Sequence, residues 1–239
     1  MQRLLLLLAT DRPHDLEGVL RDREAALGEL ADEIGATLRL AVQLEGDPMA
    51  AEAAGDARTV RSLRGLVEFS VTGVDNGALL TVVERAAKTL GDDIDWAGSA
   101  VSIGAVHEVL PAASDTLLLT LAANRLPTID RSQFHQYWLN VHATLAMSML
   151  DDDNKARMGY QQVHTDEAAS AKATELAGAA PTSFDGVLQC GLAQITDLPH
   201  LTVPGFADVI MKDEENFADQ SAEMFGAFTR TLQAQGASS

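Results

Sequence analysis

The chain has 239 residues, 46% of them hydrophobic, and its 17 basic residues against 35 acidic ones give a formal net charge of -18 at pH 7. So negative a surface repels nucleic acid and anionic membrane, so neither is expected as a partner and a small lipophilic or aromatic molecule is. The apolar content suffices for one large domain or two small ones, and the one cysteine, Cys190, excludes an intrachain disulfide, suits a reducing compartment and reads as a core residue.

The run Leu4 to Leu8 follows Arg3 and is too short for the apolar region of a signal peptide, so it reads as a buried strand over 4–9. No apolar stretch approaches the roughly 20 residues that span a bilayer, and a cytoplasmic protein is expected. A helix over about 15–34, strands over 37–44 and 66–72, a helix over 77–90 and a strand over 101–110 complete the first half. The second half repeats that order with a strand over 116–122, a helix over 131–150, strands over 159–164 and 186–195, and a helix from 204 to about 224, followed by a final strand or tail. Each half carries an Ala-rich insert at the same place, 46–59 and 165–182, where a short helix, disorder or a lid over a pocket is expected.

The order β-α-β-β-α-β is that of a ferredoxin-like unit. An α+β fold of two tandem units is expected, 1–112 and 113–239, joined near Pro111 to Asp115. Each unit leaves one sheet face bare, and the two bare faces would bury each other as a barrel.

The helix over 131–150 opens with Asp130 and Gln133 in capping-box spacing. At about 100° per residue, Phe134, Trp138, Val141, Leu145 and Met149 form its core stripe, with His135 and His142 on the shoulder. On spacing alone a hydrogen-bonded structural role is the commoner one for such histidines. On the next strand Tyr160, Gln162 and His164 share one face, although a solvated face would give the same alternation. On the last helix Ile210, Asp213, Phe217 and Met224 fall together, so Asp213 interrupts an apolar stripe and must be paired, for function or for structure. His107 stands beside Glu108 as an interface or solvent residue. No metal is expected, because His135 and His142 lack the same-face spacing of a helical ligand pair. Neither a dinucleotide fingerprint nor a nucleophile elbow occurs, and no cofactor is expected.

Phe134, Trp138 and His142 at four-residue spacing, then Tyr160 and His164, then Asp213-Glu214, Phe217 and Asp219 follow one another over residues 115–228. In this pattern the chain resembles the EthD family of dimeric α/β-barrel proteins. The first half matches only by element order, with Leu27 where the second has His142, and resembles a degenerate copy with a scaffold role. The resemblance implies a ligand cleft between helices and sheet, with the two units pairing inside one chain. It also implies cofactor-independent chemistry on a small aromatic or polyketide-like molecule, whether dehydration, cyclisation, decarboxylation or oxygenation. His142 would be a general base, oriented by Asp213 or His164, and Tyr160 a donor to a developing oxyanion. Trp138, Phe134, His135 and Phe217 would bind substrate. A lyase of this kind ranks ahead of an oxygen-using monooxygenase or haem-binding relative, whose iron would need a histidine such as His142, and ahead of a non-catalytic ligand-binding protein. Leftover sheet edges leave room for a homodimer.

Overall fold

The leucine run at the start of the chain forms β1 (Gln2–Leu8) and is buried on both faces. Side chains alternate along a strand, so Leu4, Leu6 and Leu8 meet the helices while Leu5 and Leu7 point the other way, into the lumen of a barrel. The structure is a computed structural model that describes residues 1–12, 15–49, 60–112, 114–181, 184–197, 205–222 and 224–232, without the side chains of 60–62 and 224.

After β1 come α1 (Leu16–Glu33), β2 (Thr37–Gln43), β3 (Val60–Ser62), β4 (Gly65–Val71), α2 (Asn76–Leu90) and β5 (Ala100–Leu110). The second half has β6 (Leu117–Ala123), α3 (Arg131–Tyr137), a π-helical turn (Trp138–His142), α4 (Ala143–Ser148), β7 (Met158–Thr165), α5 (Glu167–Ala177), β8 (Gly186–Leu192), α6 (Phe206–Glu214) and β9 (Met224–Thr231). Eight strands run β2-β4-β1-β5-β7-β8-β6-β9, each antiparallel to its neighbours, and β9 returns to β2 through Ala41↔Thr231, Val42↔Arg230 and Gln43↔Thr229. The short β3 lies parallel beside β9. In each half the strands other than β3 stand in the order second, third, first, fourth.

The sheet is thus a closed eight-stranded barrel with helices outside, in one chain. Its lumen is filled by Leu5, Leu7, Leu66, Leu118, Val163, Val187 and Phe225. Helices α1 and α2 lay Leu20, Leu27, Val82, Val83 and Ala86 on the outer face of the first four strands. Helix α5 grows from the second Ala-rich insert and joins the same cluster through Ala169, Ala173 and Ala177. The insert is therefore part of the outer layer of the first half. In the first insert, residues 50–59 lie outside the described residues.

Two expected elements differ. The helix over 131–150 is interrupted by the π turn, so its core stripe moves by one place. Val141 is 45% exposed, whereas His142, Ala143, Ala146 and Leu150 are buried. The helix expected to reach about 224 ends at Glu214, where the backbone N–H and side-chain amide of Asn216 both donate to the Asp213 carbonyl, each at 3.0 Å. Phe217 therefore sits in a turn beyond the helix, pinned by the Leu126 N–H donating to its carbonyl at 2.9 Å, and the strand β9 takes up the rest.

One charged cluster lies inside the barrel. The Arg3 Nε donates to the Ser70 hydroxyl at 2.9 Å and lies 3.1 Å from the Glu68 carboxylate, and Nη1 donates to Gln161 at 2.8 Å and to Gln189. Gln189 and Ser70 each donate to Glu68 at 3.0 Å, and Arg39 bridges Glu68 and Asp115. Burial alone would raise the Glu68 carboxyl, but Arg3 and Arg39, with the two donors, hold it below the usual carboxylate range. Arg3→Met would strand a buried carboxylate and is expected to cost about 3–5 kcal/mol in urea unfolding, part of which Arg3→Met/Glu68→Leu recovers.

Candidate functional site

Helix α3 starts on a formed capping box. The Gln133 N–H donates to Asp130 Oδ1 at 2.8 Å, and the Asp130 N–H donates to Gln133 Oε1 at 2.9 Å. The turn that follows is wider than an α turn, since the Ala143 N–H donates to the carbonyl of Trp138, five residues back. Polar side chains supply donors to carbonyls around it. Asn140 donates to the Gln136 carbonyl at 3.0 Å, and the Thr144 hydroxyl to the Asn140 carbonyl at 2.8 Å. The extra residue rotates His142 from the shoulder of the helix into the interior, where it is buried.

There its Nδ1 lies 2.8 Å from Asp213 Oδ2, while the Tyr137 hydroxyl donates to Asp213 Oδ1 at 2.8 Å. An ionised carboxylate only accepts, so Nδ1 carries a proton, and a neutral imidazole held in this way has its lone pair on Nε2. The face of β7 toward these helices carries a second polar chain. Gln162 donates through Nε2 to the Trp138 carbonyl at 3.1 Å and to the Tyr160 hydroxyl at 2.7 Å, and its Oε1 lies 3.0 Å from His164 Nε2.

His142 and Tyr160 both line a cavity of about 100 Å³ whose other walls include Trp138, Phe217, Leu121 and Leu188, with Glu214 and Gln220 at its polar side. The indole of Trp138 packs against Gly186, where an added Cβ would collide with the ring at Cζ3. Burial raises the Tyr160 phenol far above its ordinary value, so it remains a neutral donor.

Of the residues singled out from sequence, His142, Tyr160, Trp138 and Phe217 come together on this cavity. Asp213 reaches it through His142. Phe134 is fully buried behind Trp138 and Phe217 and packs on both. His135 and His164 stand elsewhere. His135 Nε2 donates to the Asp185 carbonyl at 2.7 Å, and its ring stacks on His164 at 4.3 Å. His164 meets His107 at 4.1 Å and the far side of Trp138 at 5.6 Å. It makes no bond to His142, so Asp213 alone orients that ring among the described residues. His107 belongs to a seam between the two halves, through β5 and β7.

Three participants were not singled out. Tyr137 stands five residues before His142, a π-turn spacing that α periodicity does not bring to one face. Glu214 adjoins Asp213, and Gln162 alternates with Tyr160 and His164, so position alone pointed to both.

Residues 126–221 match the EthD domain. No curated protein sequence matches the chain. Among solved structures the fold is similar to a protein of Lactobacillus acidophilus NCFM provisionally named a monooxygenase, at 9% identity over 96% of this chain and 93% of that one, with a TM-score of 0.51. It is also similar to a provisionally named chlorite dismutase, at 9% identity over 97% and 95% of the two chains, with a TM-score of 0.54. A dye-decolorizing peroxidase of Bacteroides thetaiotaomicron VPI-5482 aligns at 8% identity over 96% and 92%, with a TM-score of 0.52. At these identities the likeness is one of fold, that of the dimeric α/β barrels. Among the described residues no helix is long and apolar enough to cross a membrane.

The imidazole stack generates a pH dependence. Burial, with His135 and His107 beside it, pushes the His164 ring down to about 3 from 6.5. The unfolded chain therefore binds the extra proton between those values, and stability falls as pH drops from 6.5 toward 3. Urea midpoints measured across that range are expected to fall more steeply for the parent than for His164→Gln, which keeps a donor for Gln162.

Proposed function

We propose, taking the EthD domain at residues 126–221 as the premise, that the protein is a cofactor-independent lyase of dehydratase, decarboxylase or cyclase type acting on a small aromatic or polyketide-like substrate. The observation that carries this is the His142–Asp213 bond of 2.8 Å at the wall of a largely apolar cavity. With Nδ1 held by Asp213, Nε2 of His142 is free to take a proton from a carbon beside a carbonyl or phenol. The electron pair moves to the substrate oxygen, where Tyr160 donates a hydrogen bond. In a dehydration the imidazolium then returns its proton to the departing hydroxyl, so water leaves and the base is restored. Trp138 and Phe217 would hold the ring in place, and Tyr137 would keep Asp213 aligned.

The cavity favours a single ring over a macrocycle. At about 100 Å³ it is nearer the roughly 150 Å³ that holds one benzene than the space of a haem, which supports a single-ring ligand, although His142 Nε2 could face an iron. The matching strand order in the two halves supports two ferredoxin-like units, 1–112 as scaffold and 113–239 as the unit with the site.

A thermal-shift screen against hydroxylated aromatics, aryl acids and ketones identifies a ligand, since a binder of the folded state raises the melting temperature. With a turned-over hit, His142→Ala is expected to lower kcat by roughly 10²–10⁴ with affinity largely kept, and Asp213→Asn to lower it less. Equal turnover in the parent and His142→Ala removes the base. Saturable binding without turnover in the parent makes the protein a ligand binder instead.

A further inference from the structure

The carbonyl of Trp138 sets the direction of every proton in the chain of bonds behind the cavity. A carbonyl oxygen only accepts, so the Gln162 atom 3.1 Å from it is the amide nitrogen. That assignment puts Oε1 at the other end, facing His164 Nε2 at 3.0 Å, and so makes Nε2 the protonated nitrogen of a neutral imidazole. The same amide nitrogen spends its second hydrogen on the Tyr160 oxygen at 2.7 Å. Tyr160 receives that bond and one from the Trp138 side chain on its protein side, and among the described residues its own hydrogen has no acceptor there. It is left to point toward the cavity, which Tyr160 lines together with Glu214.

We infer that Gln162 is a positioning residue that holds the Tyr160 hydroxyl as a hydrogen-bond donor into the cavity, so that the ligand atom seated against it is an acceptor oxygen such as a carbonyl. The identification of that atom as substrate rests on the lyase reading above, whereas the proton order does not. Gln162 is fully buried and touches no cavity wall of its own, which separates its role from that of Tyr160. Across the cavity His142 has the opposite polarity, with a lone pair on Nε2. Tyr160 and His142 therefore offer a donor and an acceptor, a polarity that suits a ketone with an acidic hydrogen beside it, while Glu214 and Gln220 add polar groups to the same cavity.

The chain has two tyrosines, so in Tyr137→Phe the ultraviolet resonance Raman doublet of tyrosine reports on Tyr160 alone. The intensity ratio of that doublet is high for a hydroxyl that accepts and low for one that donates strongly. Tyr137→Phe is expected to show the pattern of an accepting hydroxyl. Adding Gln162→Glu leaves at most one hydrogen there, which the Trp138 carbonyl takes, so Tyr160 loses this donor, turns its hydrogen inward and the ratio falls. Acetophenone, followed by tryptophan fluorescence, is then expected to bind roughly tenfold more weakly. A doublet unchanged by Gln162→Glu overturns the proposal, as does acetophenone affinity that survives a fallen doublet. Should Gln162→Glu not fold, the Tyr137→Phe spectrum decides by itself, because a strongly donating, non-accepting pattern there contradicts the proton order. The Raman measurement needs neither ligand nor turnover, so its failure is distinct from survival of turnover in His142→Ala.

Discussion

Three residue pairs between β2 and β9 close the sheet, and from that closure each strand acquires one face toward the lumen and one toward the helices. Closure removes the long open edges that a flat sheet of this size would present. It also separates two kinds of polar group. Arg3 and Glu68 lie inside, where each needs partners from strands of both halves, and they find them in Gln161 and Gln189. Tyr160, Gln162 and His164 lie on the outer face of β7, one residue out of phase with Gln161. The parity of β7 alone decides which of these side chains serve the barrel and which serve the cavity.

The second determinant is local. A regular α-helix from Arg131 would put Val141 on the core and leave His142 at the margin. The π turn reverses this, burying His142 and exposing Val141. Widening a turn withdraws backbone donors from their usual carbonyls, and the turn is stable here because Asn140, Thr144 and Gln162 bring donors of their own. Gln162 thereby belongs to two structures at once, since it satisfies a helix carbonyl and sets the proton order at Tyr160.

Much of the barrel was legible in the sequence because its strands obey simple rules. A leucine run buried on both faces and strands separated by helical periods can be read without knowledge of long-range contacts. Residues that alternate along β7 were placed on one face correctly, and the capping box gave the start of the helix that leads to His142. What stayed hidden depends on register. Periodicity assumes 3.6 residues per turn, so a single π turn moved every later residue of that helix by one place. For the final helix the same assumption carried the apolar stripe through Asn216, whose amide in fact closes the helix, and Phe217 reached the cavity from a turn. The contacts of His135 with Asp185 and of His107 with His164 join distant segments and leave no local trace.

The π turn is equivalent to one surplus residue accommodated within a fixed length of helix. Residues before it keep their register on the sheet, and those after it resume α geometry, so the surplus is absorbed between Trp138 and Ala143. A deletion of one residue from 139–141 would restore an unbroken helix with the histidine at the core-stripe place that regular α geometry gives to position 141, so its burial beside Asp213 and the barrel strands would both be kept. The buried histidine is therefore tied to the residues that follow the turn rather than to those that precede it, and a barrel of this kind could gain or lose the surplus residue without any strand changing its neighbours.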